Sequence, residues 1–322
     1  MGDFSALGVA VGHATDVEGA TGLTVIRGVD APFRGGAAVI GRATGTRELQ
    51  SLAPESLADR VDAILLTGGS AFGLDAASGV MRWMEERGRG FPVPGGVVPI
   101  VPAAVIFDLA PLGQFDARPT AEMAYTACES GSSRHVDEGS IGVGTGATVG
   151  KVLGPAGAMK GGFGCAVLTH DGLHVGAFAV VNALGDVRDS GGRILAGARD
   201  ENRRFIDAEQ WARSAAPRDS KPRAGHNTTL AVIVTNAALS RLELSQLARA
   251  ASAGLYRRIT PVGTSFDGDL IFALGPIAGG VAAPPLQVEA LAVRGLEQSI
   301  DRAVRLARGR DGIPGLADGD AS

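Results

Sequence analysis

The sequence has few of the residues that mark several common classes of protein. Its two cysteines, Cys128 and Cys165, lie far apart and lack the spacing of a metal site or of a disulfide framework. We therefore expect two free, buried thiols and a reducing compartment, the cytoplasm. The five histidines fall in no recognisable catalytic triad. No apolar run is as long as about 18 residues, the length that predicts a membrane span.

Basic clusters and a signal-like start are also missing. The formal net charge is −4, and the 30 basic residues are scattered rather than interleaved with aromatic residues, which disfavours nucleic acid as a partner. The N-terminus has no basic segment followed by an apolar run, so no export signal is predicted. The 45% share of hydrophobic residues in 322 is enough for a sizeable core. These features predict a soluble, cytoplasmic, globular protein that binds neither nucleic acid nor a membrane.

Glycine, by contrast, is abundant: 48 residues, about twice its usual share of roughly 7%, which indicates many tight turns. The run "VDAILLTGG" (61–69) predicts a buried strand closed by glycines, and Ser70 is predicted to cap the helix that follows. Strands often follow one another directly instead of alternating strictly with helices. This order favours sheets packed on each other with helices outside over a doubly wound parallel sheet.

The last third of the chain gives clearer local signals. Ser240 and Glu243 have the spacing of a capping box at the start of a helix. "DLIFAL" (269–274) predicts a strand, and the apolar periodicity of 284–309 predicts a second helix that begins near proline and stops at glycine. The tail, 310–322, is predicted to be disordered.

The stretch "GHNTTLA" (225–231) marks a sharp boundary. A polar segment rich in proline and glycine ends at Asn227, and the run that begins at Thr228 alternates like a buried strand. A threonine hydroxyl is a weak nucleophile, but at the start of a chain its own α-amine, with a pKa of about 7.7–8.0, serves as the base. Attack of the Thr228 hydroxyl on the Asn227 carbonyl would free that amine. The plain alternative is that Thr228 only begins a strand.

The residues from 225 to 274 resemble the nucleophile segment of the DmpA-like family of self-cleaving N-terminal-nucleophile hydrolases. That family includes the L-aminopeptidase/D-esterases, the β-peptidyl aminopeptidases and the endo-type 6-aminohexanoate (nylon) oligomer hydrolase. The likeness extends upstream through four further segments: "LTGGSAFGLDAASGV", "AAVIFDL", "GATVGKVLG" and "AVVNALGDV".

This resemblance implies an α+β fold, a four-layer αββα sandwich of the N-terminal-nucleophile hydrolase type, related to that of the ornithine acetyltransferases. It implies one domain that is cleaved at Asn227–Thr228 into an α fragment, 1–227, and a β fragment, 228–322, which remain together. It also implies a homo-oligomer of cleaved heterodimers that needs no metal or organic cofactor.

The resemblance assigns roles to single residues. Thr228 is the nucleophile, and Asp267 and Asp269 orient its hydroxyl and its ammonium. Residues at i and i+2 of an extended segment face the same side, which fits that pair. Lys151 and Asn182 match positions that line the site, Asn182 donating to the oxyanion and Lys151 adding positive potential.

The Asn-Thr junction and the "SFDGD" motif (265–269) are most similar to the nylon-oligomer hydrolase, since the aminopeptidases use serine as nucleophile and a different pair in place of the aspartates. One position departs from the family's pattern: Phe107 stands where the family has a tyrosine associated with the site. A role that depends on that hydroxyl is therefore absent here.

The sequence with this resemblance favours a self-processing amide hydrolase that uses Thr228 after cleavage of Asn227–Thr228. Two hypotheses about its substrate and two alternative functions remain open. The chain is an aminopeptidase acting on short peptides or amides with small N-terminal residues, or an endo-acting hydrolase of linear amide oligomers. A third possibility is acyl transfer to an amine, as in the ornithine acetyltransferases, which also cleave themselves before a threonine. The fourth is an unprocessed scaffold or binding protein of the same fold.

Overall fold

The computed structural model describes residues 2–214 and 226–319. Within these ranges the chain forms the strands β1 Val9–Asp16, β2 Thr21–Gly28, β3 Phe33–Val39, β4 Thr46–Arg47, β5 Ala63–Thr67, β6 Phe91–Val93, β7 Gly96–Val98, β8 Ala103–Val105, β9 Thr148–Val149, β10 Met159–Lys160, β11 Gly162–His170, β12 Leu173–Asn182, β13 Asp186–Arg188, β14 Ile194–Ala196, β15 Thr228–Thr235, β16 Ile259–Thr260 and β17 Leu270–Pro276. The α-helices are α1 Ala77–Glu85, α2 Ala121–Glu129, α3 Ala208–Arg213, α4 Arg241–Arg258 and α5 Pro285–Arg305.

Two five-stranded sheets form the centre of the molecule. The first has the order β1-β2-β5-β8-β4, and the second has the order β11-β12-β15-β17-β3. Neighbouring strands are antiparallel except for the pairs β5–β8 and β15–β17, which are parallel. Because β3, β11 and β12 precede the Asn227–Thr228 junction and β15 and β17 follow it, the second sheet combines strands from before and after the junction.

The sheets pack face to face with a helical layer on each outer side. Successive residues of a strand point to opposite faces, so Leu66 of β5 and Val232 of β15 meet in the core between the sheets. Their neighbours point outwards: Leu65 packs with α1 and α2, and Ile233 packs with α4 and α5. This arrangement is the predicted four-layer αββα sandwich of an α+β protein.

Two local predictions are confirmed: the capping box and the two free, buried cysteines. Ser240 and Glu243 form the reciprocal capping box at the start of α4. Both cysteines are buried and free. No helix among residues 2–214 and 226–319 is long and apolar enough to cross a membrane.

The predicted cap at Ser70 is wrong. A 3-10 helix, Ser70–Ala76, precedes α1, and its N-cap is Gly69 in the left-handed region without a side-chain hydrogen bond. The turn is held from outside instead: the Gly69 amide donates to the Asp108 carboxylate at 2.7 Å, and the Ser70 amide donates to the Ile106 carbonyl at 3.0 Å. Contacts with the loop after β8 therefore replace the local cap.

The predicted disorder of the tail is wrong for residues 310–319. Ile313 is buried, and Leu316–Asp318 form a 3-10 helix. The Asp318 carboxylate accepts hydrogen bonds from the amides of Gly309 and Gly315, which closes this segment on itself. Residues 320–322 lie outside the described ranges, as does 215–225, most of the polar stretch before the junction.

Candidate active site

Three strand ends converge on the Asn227–Thr228 junction. Thr228 is the first residue of β15 and lies opposite Asn182, the last residue of β12. On its other side, Asn227 forms a parallel bridge with Asp267, just before β17. Asn227 and Thr228 are only 2% and 4% exposed. The sheet therefore brings together sequence-predicted residues from distant segments around a bond that bulk solvent scarcely reaches.

The Asn227 carbonyl oxygen accepts two hydrogen bonds. One comes from the Thr228 hydroxyl at 2.6 Å, and the other comes from the Gly268 amide at 2.8 Å. The Gly268 amide can stabilise the negative charge that develops on this oxygen when a nucleophile adds to the carbon, and the Thr228 hydroxyl lies beside the same carbonyl. A Cβ at position 268 would lie 2.7 Å from the Thr228 hydroxyl oxygen and 2.7 Å from the Ala43 carbonyl, which explains the glycine between the two aspartates.

The two aspartates hold the backbone around the nucleophile. Asp269 accepts from the amide of Thr229 at 2.5 Å through one oxygen and from the amide of Gly263 at 2.9 Å through the other. Asp267 accepts from both the amide and the hydroxyl of Thr264, at 2.8 and 2.6 Å. Asp269 is thus bonded to the residue after the nucleophile. The role of Asp267 and Asp269 in orienting the Thr228 hydroxyl and ammonium stays a prediction.

Lys151 and Asn182 form a second group of donors, one residue upstream of the Asn227 carbonyl. The Lys151 ammonium donates to the carbonyl and side-chain oxygens of Asn182, both at 2.9 Å, and to the carbonyl of His226 at 3.0 Å. The Asn182 side-chain amide donates to the carbonyls of Phe107 at 3.0 Å and His226 at 3.3 Å. Its oxygen also accepts from the Thr148 amide at 3.1 Å, which fixes the orientation of the amide group.

Burial shifts the ionisation of this cluster toward neutrality. Removal from water lowers the pKa of Lys151 to about 7, although the charges of Asp267 and Asp269 oppose that shift. Removal from water, together with the negative charge of Asp267, raises the pKa of Asp269 to about 7. Burial also raises the pKa of Asp267. The cluster can therefore exchange a proton near physiological pH.

Sequence reasoning missed two features of this site. No sequence pattern points to His226, whose carbonyl is the acceptor that Lys151 and Asn182 share and whose ring stacks on Phe107 with centroids 4.1 Å apart. The Gly268 amide was overlooked because a backbone donor has no side-chain signature. The available signal was the glycine between two aspartates, a residue that permits close backbone approach.

Comparisons with known proteins identify the family and the fold of this chain. The model of peptidase family S58 matches residues 6–308. An uncharacterized aminopeptidase of Mycobacterium tuberculosis (strain H37Rv) is 47% identical over 253 residues, which cover 76% of this chain and 70% of the relative. A 6-aminohexanoate-oligomer endohydrolase of Kocuria sp. (strain KY2) is 33% identical over 292 residues, or 84% of this chain and 74% of the relative.

A solved structure shares the fold. The L-aminopeptidase D-Ala-esterase/amidase of Ochrobactrum anthropi, described as a variant of the Ntn hydrolase fold, superposes with a TM-score of 0.69 at 21% identity, covering 94% of this chain and 85% of that one. This likeness confirms the sandwich of the Ntn hydrolase type. The chain spans 65% of the length of a similar Mycobacterium leprae aminopeptidase, so that relative is longer.

Proposed function

Because this chain belongs to peptidase family S58, whose members hydrolyse amide bonds, we propose that it is a self-processing amide hydrolase with Thr228 as N-terminal nucleophile. The observation that carries the proposal is the Thr228 hydroxyl, 2.6 Å from the carbonyl oxygen of Asn227, with the Gly268 amide as second donor to the same oxygen. Nucleophile, electrophile and a stabilising donor for the oxyanion are assembled in one continuous chain.

Self-processing requires three steps. The Thr228 oxygen adds to the Asn227 carbonyl carbon while its proton passes to the cluster of Lys151, Asp267 and Asp269, and the Gly268 amide holds the oxyanion. The carbon–nitrogen bond breaks, the nitrogen takes up a proton, and an ester joins Asn227 to the Thr228 oxygen. Water hydrolyses the ester, leaving a carboxylate at Asn227 and a free α-amine and hydroxyl at Thr228.

The freed amine makes Thr228 competent for other amides. It takes the hydroxyl proton as the oxygen attacks the substrate carbonyl and returns it to the leaving amine. The Gly268 amide donates to the substrate oxyanion, as it does to the Asn227 carbonyl oxygen, and Lys151 adds positive potential. Asn182, which was expected to donate to the oxyanion, donates instead to the carbonyl of His226, one residue upstream. No metal or organic cofactor takes part in these steps.

The two fragments stay together after cleavage because they share a core. β15 and β17 of the second fragment lie between β12 and β3 of the first, so separation would expose buried residues of both sheets. We propose further that the cleaved unit forms a homo-oligomer in the cytoplasm. Size-exclusion chromatography with light scattering tests the oligomer, and fractionation of the host cell tests the location.

The substrate is a short peptide or a linear amide oligomer. The relatives named above include an aminopeptidase and an oligomer endohydrolase, so both exo and endo action are candidates. Endo action is favoured by one pair of contacts. Lys151 and Asn182 both donate to the carbonyl of His226, one residue upstream of the bond to be cut, and an amide with a free terminal amine has no carbonyl at that place.

Intact-mass spectrometry of purified wild type beside Thr228→Ala tests the proposal. Wild type is expected to give fragments 1–227 and 228–322, and the alanine variant one whole chain. Thr228→Ser, which keeps a hydroxyl, is expected to split. Because the bond is buried, processed wild type should not cleave added Thr228→Ala protein. A wild-type chain that stays whole, or a Thr228→Ala chain that splits at the same bond, overturns the proposal.

A further inference from the structure

We propose that Lys151, Asn182 and Phe107 form an acyl-side subsite that binds a carbonyl group and a planar ring one residue upstream of the amide to be cut. The substrates it takes are peptides and N-acyl amino-acid amides, rather than amides whose acyl residue carries a free amine. This inference rests on the proposed function, since it assigns the substrate class of the same site.

In the uncleaved chain, the carbonyl part of the subsite is occupied by the chain's own residue His226. The His226 carbonyl oxygen receives the Lys151 ammonium at 3.0 Å and the Asn182 amide at 3.3 Å. Asn182 is fully buried, and its side-chain oxygen is engaged by the Thr148 amide and by Lys151, so its NH₂ group points toward the acceptors. Both donors are thus fixed on a carbonyl that does not itself react.

The ring part of the subsite is the face of Phe107. The His226 imidazole stacks on it with an interplanar angle of 16°. Stacked aromatic rings attract each other beyond the effect of the area they bury. A tyrosine in place of Phe107 would present the same face, so the stacking does not depend on the missing hydroxyl.

The chemistry of self-processing explains why an external substrate would make the same contacts as His226. The ester formed in the second step joins the acyl group of Asn227 to the Thr228 oxygen, and it is chemically an acyl-enzyme whose acyl group is the end of the first fragment. An external peptide that acylates Thr228 gives the same linkage. Its second carbonyl therefore lies where the His226 carbonyl lies, within reach of Lys151 and Asn182.

The same groups disfavour a substrate with a free amine on the acyl residue. Such a substrate lacks the second carbonyl and leaves the two donors, Lys151 and Asn182, without an acceptor. The nearby carboxylates are already engaged: Asp269 by the amides of Thr229 and Gly263, and Asp267 by Thr264. They are therefore poorly placed to bind a terminal ammonium.

Four chromogenic 4-nitroanilides test the assignment on the processed wild-type protein: asparagine with a free amine, acetyl-asparagine, acetyl-alanyl-asparagine and acetyl-histidyl-asparagine. Acetylation supplies the second carbonyl, and kcat/KM is expected to rise about tenfold, the equivalent of one hydrogen bond. Replacing alanine by histidine supplies the ring, and a further rise of about 2–10-fold is expected from stacking.

The variant Phe107→Leu separates the contribution of the ring contact to substrate preference from that of the carbonyl contacts. This variant should lose the preference for histidine over alanine and keep the preference for acetyl-asparagine over free asparagine. Phe115→Leu, which removes an exposed phenyl ring, is the matched control and should keep both preferences. If Phe107→Leu fails to process itself, the wild-type ratio of the two dipeptide substrates alone decides the ring part.

Each outcome has a definite meaning. Equal or faster turnover of the free-amine substrate overturns the subsite, and so does turnover of none of the four by protein that mass spectrometry shows to be cleaved. In both cases self-processing stands. Absence of cleavage in wild type overturns the proposed function itself, which is a separate readout.

Discussion

Two lysines inside this protein differ in what surrounds them. Lys151 is half-buried beside the Asn227–Thr228 junction, and Lys160 of β10 is only 1% exposed. Removal from water lowers the pKa of each to about 7, and each feels the charge of a buried carboxylate: Asp267 in the first case and Asp108 in the second. By ionisation alone the two sites are alike.

Their hydrogen bonds distinguish them. Lys160 donates to the carbonyls of Thr145 and Ala147, at 2.7 and 2.8 Å, and so holds the loop before β9. Lys151 donates to the carbonyl of His226, next to a carbonyl that has a hydroxyl and an amide on its oxygen. A shifted pKa indicates burial in both sites. The Thr228 hydroxyl and the hydrogen-bonded Asn227 carbonyl lie beside Lys151 alone, and they support the proposed catalytic role for that site only.

Replacing each lysine by methionine gives the largest expected contrast. Lys151→Met should slow self-cleavage by about 10²–10⁴-fold, because the site loses a proton-exchanging group and a donor. Lys160→Met should cleave at the wild-type rate but lose about 1–3 kcal/mol of unfolding free energy for each buried carbonyl left without a donor. Fragment formation followed by intact mass, together with urea unfolding of Thr228→Ala backgrounds, measures both. Equal loss of cleavage in the two variants would contradict the comparison.

Gly268→Ala tests the oxyanion donor beside Lys151. The added Cβ would lie 2.7 Å from the Thr228 oxygen and from the Ala43 carbonyl, so the junction must shift. Misplacement of reacting groups by about 1 Å costs about 10²-fold in rate, which we expect for self-cleavage. Gly96→Ala is the control, because a Cβ there meets open space. An unchanged cleavage rate in Gly268→Ala would remove this amide from the mechanism.

The pH dependence of self-cleavage should depend on the groups around Lys151 and should not depend on Lys160. Lys151 and Asp269 have pKa values of about 7, and their basic forms, the amine and the carboxylate, exist above that pH. The rate should therefore fall as pH drops through about 7, by up to about tenfold per pH unit. Refolding the precursor into buffers from about pH 5.5 to about 8.5 measures this profile. Lys160→Met should leave its midpoint in place.

Asp108→Asn should have the smallest effect. The Asp108 carboxylate accepts from the Thr21 hydroxyl and the Gly69 amide, both at 2.7 Å, and asparagine can keep the second bond while the hydroxyl turns to accept. We expect about 1 kcal/mol or less of lost stability and normal cleavage. Burial raises the pKa of Asp108 to about 6, so a carboxylate with a shifted pKa would again prove structural. Loss of cleavage in this variant would show that the two sites are coupled.

The sequence predicted what depends on neighbours in the chain. The capping box of α4, the strand that begins at Thr228 and the spacing of Asp267 and Asp269 are all local patterns, and the structure places each in the predicted element or beside it. The cap at Ser70 failed because Asp108, distant in sequence, satisfies the Gly69 amide instead. Local rules do not include such partners.

Sequence alone determined the chemistry available at the junction: a threonine hydroxyl after an asparagine carbonyl, at the start of a buried strand, with two carboxylates and a lysine elsewhere in the chain. Only the tertiary structure decided which groups meet. The register of β12 on β15 puts Asn182 opposite Thr228, and the bridge from Asn227 to Asp267 puts the Gly268 amide on the scissile carbonyl. Both depend on pairing between strands distant in the chain, and hydrophobic packing of whole sheets, rather than any short motif, fixes that pairing.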